Sequence, residues 1–246
     1  MGNKVIAICG SPGSGKTLTA VKIAKTLADG KKNTILVGCD TESPVLPILL
    51  PAQKDVPSLG NLLALPVLTV PTVLQHCVPC GESDYIAVTG YGKGENVRTY
   101  PEYSLQRAKN FIAMLQKTAD YAVIDCSSHI TDDLLTVAAL EKADITIRIA
   151  NPNLKSISYF QSQGPLLQES RFHCAKQVSV INDILSTQDD APIFEFFGNQ
   201  AYKLPHVPEL QEQFDSGSLL DTPFGKNARE YVRTLKIIVK EVIHDG

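Results

Sequence analysis

Residues 10–17 read GSPGSGKT: Gly10, Ser11, Pro12, Gly13, Ser14, Gly15, Lys16 and Thr17. The spacing satisfies the pattern G-x-x-x-x-G-K-[ST] in full. Glycines let the main chain wrap closely around phosphates. The loop amides and the N-terminus of the following helix then face negative charge. In such a loop Lys16 neutralises β- and γ-phosphates, and the Thr17 hydroxyl ligates Mg²⁺. Leu18, next in line, is grouped with these as a nucleotide-binding residue.

A phosphate loop needs an acid near its metal. Asp125 ends the apolar run YAVID (121–125), where a Walker B aspartate belongs, and would hold Mg²⁺ through a water. Asp40 closes a second apolar run at VGCD and would orient the attacking water or touch the metal. Lys16, Asp40 and Asp125 are therefore the expected catalytic set, with Thr17, Asp40 and Asp125 around the metal. Cys77-Val78-Pro79-Cys80 is a lone CxxC beside His76. It is either half of a metal site or a pair of ordinary loop cysteines.

These residues need strands and helices to position them. Short apolar runs predict strands at Val5–Cys9, Thr34–Cys39, 85–89, 121–125, 145–150 and 177–182. Helical patterns follow the glycine loop to about residue 28 and recur at 102–118, 131–141 and 153–169. Continuous apolar strands separated by helices predict one α/β domain over 1–246: a doubly wound, mostly parallel sheet with helices on both faces. Seven of the fifteen prolines fall between Pro44 and Pro79. That stretch is expected as short helical turns and loops, either a surface excursion or a partner-binding or switch region.

The last pattern, about 225–243, is amphipathic. Ala228, Tyr231, Leu235, Ile238 and Val242 form an apolar face. Lys226, Arg229, Arg233, Lys236 and Lys240 form a basic stripe opposite, able to meet DNA phosphates, or an acidic partner, or simply solvent. The net charge of −3 argues against a globally basic nucleic-acid binder. No apolar run reaches the ~18 residues of a membrane span. The expected compartment is the cytosol, with the six cysteines reduced.

The phosphate loop, Asp40 and Asp125, in this order, resemble the MinD/ParA family of deviant-Walker-A P-loop ATPases over nearly the whole chain. An N-P turn at Asn151-Pro152, Asn182 in VSVIND, and Pro205 followed by Gly217 match later family landmarks. The stretch SLGNLLALPVLTVPTVL followed by YIAVTGYG resembles the CpaE/TadZ branch, which localises pilus and secretion machinery. The resemblance implies Mg-ATP, a homodimer with ATP at its interface, and a protein partner within an assembly machine. It implies nucleotide contacts from Asn182, on the adenine, and from Pro205. A metal-delivery maturation ATPase using Cys77 and Cys80, or a non-hydrolysing scaffold, are the alternatives.

Three positions depart from the family pattern. The signature lysine, which reaches a partner's phosphates, is Ser11. The first acid of the D-x-D pair is Gly38. The switch glycine after the Walker B acid is His129. ATP binding rests on Lys16, Thr17 and Asp125 and should survive. Fast hydrolysis is expected to suffer, unless Lys93 or Arg148 substitutes.

Overall fold

In a computed structural model of the chain, residues 3–53, 55–172, 176–198 and 200–244 are described. Eight strands form one sheet: β1 (Lys4–Gly10), β2 (Thr34–Gly38), β3 (Val78–Pro79), β4 (Ile86–Thr89), β5 (Tyr121–Asp125), β6 (Ile145–Ala150), β7 (Lys176–Ile184) and β8 (Tyr202–Pro205). Their spatial order is β3-β4-β2-β5-β1-β6-β7-β8. All pairs are parallel except the antiparallel contact of β3 with β4. The doubly wound sheet expected from the sequence is present.

Ten α-helices are described: α1 (Lys16–Asp29), α2 (Leu46–Leu49), α3 (Leu59–Ala64), α4 (Val70–Gln75), α5 (Leu105–Thr118), α6 (Leu134–Lys142), α7 (Leu154–Leu167), α8 (Ala191–Phe197), α9 (Pro208–Ser216) and α10 (Ala228–Ile237). Successive residues of a strand point to opposite faces. Val5, Ala7 and Cys9 of β1 therefore join one apolar core with residues of α5–α8. Ile6 and Ile8 join the other, beneath α1, α2, α9 and α10. The proline-rich segment holds the short helices α2–α4, as expected, and ends in the two-residue strand β3.

Helix starts fall later than the apolar periods suggest, because side chains cap them. Ser104 accepts from the Arg107 amide before α5, and Asp133 from Leu135 and Thr136 before α6. Asn153 accepts from Ser156 before α7. The last helical pattern starts at Ala228 rather than about residue 225. It widens into a π-helix over Ile238–His244, where Ile238, Val239, Val242 and Ile243 are all buried. Among the described residues, no helix is long and apolar enough to cross a membrane.

The chain runs from β1 to one side of the sheet for β2–β5, then returns to the other side for β6–β8. That reversal beside β1 is where open α/β sheets place their ligand crevice, at the C-terminal ends of the strands.

Candidate functional site

β1 ends at Gly10, and residues 11–15 turn the chain into α1. Gly13 and Gly15 make the turn with φ of 76° and 84°. A Cβ on Gly10 would stand 2.2 Å from the Ile149 carbonyl oxygen, and one on Gly15 2.3 Å from Asn182 Nδ2. The loop therefore admits no side chain at either position. The first turn of α1 carries neither a capping side chain nor an acidic residue. Its amides and the helix dipole remain available to an anion.

Two contacts tie this loop to β5. Thr17 Oγ1 donates to Asp125 Oδ2 at 2.6 Å. Lys16 Nζ donates to Ser128 Oγ at 2.6 Å and to the Ser11 carbonyl at 3.4 Å. Register places Asp125 opposite Ile8 of β1 and Gly38 of β2, between the phosphate loop and the Asp40 turn. Burial lowers the Lys16 pKa, while Asp125 and Asp40 pull it up. Desolvation raises Asp125 to about 6, against the Thr17 hydrogen bond and the Lys16 charge.

Asp125 Oδ1 is buried without a hydrogen-bond partner. A buried carboxylate oxygen left unpaired is costly. Beside a hydroxyl oxygen it is also what a hard, oxygen-seeking cation takes. Thr17 and Asp125 thus fit Mg²⁺.

Asp40 has a structural task as well. Its Oδ1 accepts from the amides of Glu42 (2.7 Å) and Ser43 (3.1 Å), shaping the turn after β2. Across that turn, Glu42 Oε1 lies 3.6 Å from His129 Nε2, bridging the two segments that follow β2 and β5. Asp40, Glu42, Ser127 and His129 line a cavity of about 810 Å³ together with Tyr91, Tyr100 and Tyr103. Glu95, also in its lining, accepts from the hydroxyls of Ser58 and Tyr100 and from the Gly92 amide.

Ser11, in the place of the family's lysine, is 1% exposed and points into the body. Its Oγ lies 2.8 Å from Ser156 Oγ, which accepts the Asn151 amide at 3.0 Å. Asn151 Nδ2 donates to the Asn182 carbonyl, and Asn182 Nδ2 donates to the Ser14 carbonyl at 3.0 Å. A chain of polar contacts therefore runs from the second loop residue through α7 and β7 back to the fifth. Asn182 uses its amide donor to brace the loop. Pro205 ends β8 at the same edge of the sheet, opposite Ile184.

Gly38 also has a steric reason. A Cβ there would meet Val45 Cγ1 at 2.3 Å, so no acid fits beneath that valine as placed. Of the two suggested substitutes for the lost lysine, Lys93 is exposed. Arg148 donates to Ser179 Oγ at 3.0 Å and stacks on Phe197, 5.6 Å from its ring centroid.

The CxxC pair is divided by the sheet. Cys77 packs against one apolar core, and Cys80 belongs to the other. Burial pushes both thiols up to about 12. Among the described residues, no group of three or more His, Cys, Asp or Glu side chains is gathered to hold a metal ion. Of the two readings of the CxxC, the shared metal site is therefore not supported by the placement of Cys77 and Cys80. Cys174 lies outside the described residues.

Sequence reasoning had Ser128 only as part of the switch DCSSH (125–129), and it missed Ser156 and Tyr159, whose hydroxyl donates to the Ser128 carbonyl at 2.8 Å. The only hint of Ser128 was the pair of small polar residues directly after Cys126.

Residues 5–197 match the CobQ/CobB/MinD/ParA nucleotide binding domain. Solved structures agree with the fold. A ParA family ATPase from Chlorobium tepidum TLS superposes with a TM-score of 0.79 at 17% identity, covering 96% of this chain and 98% of that one. The septum site-determining protein MinD from Pyrococcus horikoshii OT3, solved with Mg-ADP, gives 0.77 at 14% identity, covering 99% of each chain. The MinC:MinD cell division complex of Aquifex aeolicus gives 0.75 at 16% identity, covering 97% of each chain. No curated protein sequence matches the chain significantly.

Proposed function

The chain belongs to the CobQ/CobB/MinD/ParA nucleotide-binding family of P-loop ATPases, and we propose that it is a slow, Mg-ATP-dependent dimerising switch acting in the cytoplasm. The observation that carries this reading is the bond from Thr17 to Asp125 beside the unpartnered Asp125 Oδ1. It joins the phosphate loop to a metal-competent acid in one buried cluster. The whole chain, 1–246, is taken as one ATPase domain.

In this reading residues 10–18 grip the phosphates through main-chain amides, and Lys16 exchanges Ser128 for the β- and γ-phosphates. Thr17 and Asp125 hold Mg²⁺, the aspartate directly or through water. When bound, the ion neutralises phosphate charge and polarises the transferring group. Asp40 aligns the attacking water for in-line displacement while its Oδ1 keeps the 40–43 turn closed. Asn182 supports the loop from behind, and Pro205 flanks the base.

With Lys16 drawn off Ser128, the γ-phosphate would order Asp40 and residues 126–129 anew, and the Glu42–His129 contact would couple the two segments. The altered surface is what a second copy and a protein partner would read. The SLGNLLALPVLTVPTVL and YIAVTGYG stretches favour a CpaE/TadZ-like role in positioning pilus or secretion machinery. The relative solved with MinC supports partner binding as a mode of action. The basic stripe from Lys226 to Lys240 is the candidate face for a polyanion, DNA among them.

Turnover should be low. With Ser11 directed at Ser156, no loop lysine is offered to a partner's phosphates, and loss of such a charge costs ~10³-fold or more by analogy with arginine fingers. Sedimentation of the full chain with Mg-ATP, Mg-ADP or no nucleotide tests the switch. A dimer with Mg-ATP alone is expected. A monomer in all three states overturns it.

A further inference from the structure

The outward surface of α10 takes no part in the chemistry above. The apolar face expected from the sequence is fully committed: Ala228, Tyr231, Leu235, Ile238 and Val242 are all at most 3% exposed. The helix is thus laid flat on the body. Opposite, Lys226, Arg229, Arg233, Lys236 and Lys240 are all exposed. Among the described residues none of the five forms an ion pair. In a chain of net charge −3, this concentrates positive charge on one helix.

The stripe borders a groove of about 940 Å³ between α10 and the turn before it. Pro223, Phe224, Val232 and Ile237 supply its apolar lining, and Arg229, Arg233, Lys236 and Lys240 its positive charge; Glu241, the one carboxylate in the lining, accepts from the Tyr202 hydroxyl at 3.2 Å. Phe224 is 73% exposed, yet its backbone is fixed. Its amide donates to Glu209, Gly225 turns the chain at φ 83°, and Asn227 Nδ2 donates to the His206 carbonyl at 2.9 Å. An aromatic ring held out to solvent by an anchored turn is a preorganised contact.

We infer that this groove docks an acidic segment of a partner protein that also carries bulky apolar side chains. The carboxylates meet the four cations, and an apolar side chain covers Phe224, Val232 and Ile237. Duplex DNA fits less well. A helix with side chains is about 10–12 Å across and fills a major groove about 12 Å wide. With its other face buried, α10 cannot enter one. Only phosphate contacts would remain, and these have no use for an apolar lining. The inference stands apart from the nucleotide reading, since it uses no residue of the phosphate site.

The test is fluorescence anisotropy of the full chain with three labelled probes. One is a 16-residue peptide of Asp and Glu interspersed with Leu and Phe. The second has equal charge with Ser for the apolar residues, and the third is a 30-base-pair duplex. The first peptide should bind most tightly. Phe224→Ala should weaken it by about tenfold or more while leaving the melting midpoint and Mg-ATP affinity unchanged. Arg229→Glu with Arg233→Glu should abolish its binding. The inference is overturned if the duplex binds as tightly as that peptide, if Phe224→Ala leaves the peptide unaffected, or if no probe binds. Because Mg-ATP binding is measured on the same samples, failure here is distinguishable from failure of the phosphate site.

Discussion

The ammonium of Lys16 donates to the Ser128 hydroxyl at 2.6 Å, joining the phosphate loop to the segment after β5. Tyr159 holds the same serine from α7 through its carbonyl. Whatever draws Lys16 toward a phosphate must therefore release one end of Ser128. In the proposed switch this contact would link nucleotide to the 126–129 segment.

Ser128→Ala removes the competitor for Lys16. Affinity for Mg-ATP should rise by about two- to tenfold, the worth of one hydrogen bond to a charged group less the cost of its exchange. Calorimetric titration checks this, and a weaker affinity would show that Ser128 assists binding instead.

Asp125 carries a stability cost. Its folded pKa of about 6 lies above the ordinary 3.8 because burial disfavours the charged form. Between those values the folded state binds more protons than the unfolded state. Stability therefore falls as pH rises from about 4 to about 6, and the full penalty stands above that. Two pH units correspond to about 3 kcal/mol. Asp125→Asn should raise the melting midpoint at pH 7, with the gain shrinking toward pH 4, while Mg²⁺-dependent ATP binding is lost. Melting curves across pH 4–8 decide it; a gain independent of pH would contradict the assignment.

Lys22 is a buried pin that the sequence did not disclose. It sits 2% exposed in α1, and its Nζ donates to Gln213 Oε1, the Leu219 carbonyl and the Asp221 carbonyl at 2.6–2.8 Å. Burial lowers it to about 8. Lys22→Met keeps the volume but strands three acceptors at the α9 end of the molecule. A loss of about 2–4 kcal/mol is expected, or about 5–15 °C in melting midpoint for a chain of this size.

Gly38→Asp tests why the first acid of the family's pair is missing. The new Cβ collides with Val45 Cγ1, and its charge enters a buried strand end. Overpacking alone costs about 1–3 kcal/mol. Adding Val45→Ala should restore part of the melting midpoint. No recovery in the double variant would mean that the close approach is not the reason.

The central strands and the phosphate loop were legible because each is carried by local pattern: apolar runs buried on both faces, and a fixed glycine spacing. The proline-rich excursion was legible for the same kind of reason. The edge strands were not. β3 is only Val78-Pro79, and proline is tolerated there because an edge strand leaves one side unpaired. β8, YKLP, is too short to show a period. Within the site, Lys16, Thr17 and Asp125 could be read from type and spacing. The bonds of Ser11 to Ser156, of Asn182 to Ser14 and of Lys16 to Ser128 could not. They join residues more than a hundred positions apart, and only the crossovers bring them together. The division of Cys77 from Cys80 likewise follows from strand alternation once β3 exists.

The most direct measurement is titration of Mg-ATP into the wild-type chain and into Lys16→Ala, with folding of both confirmed by melting. The account predicts saturable, magnesium-dependent binding to the wild type and a loss of at least about 100-fold in the variant, the scale of removing a buried charge-assisted contact. Equal affinity in the two proteins, or no binding by the wild type, would contradict it.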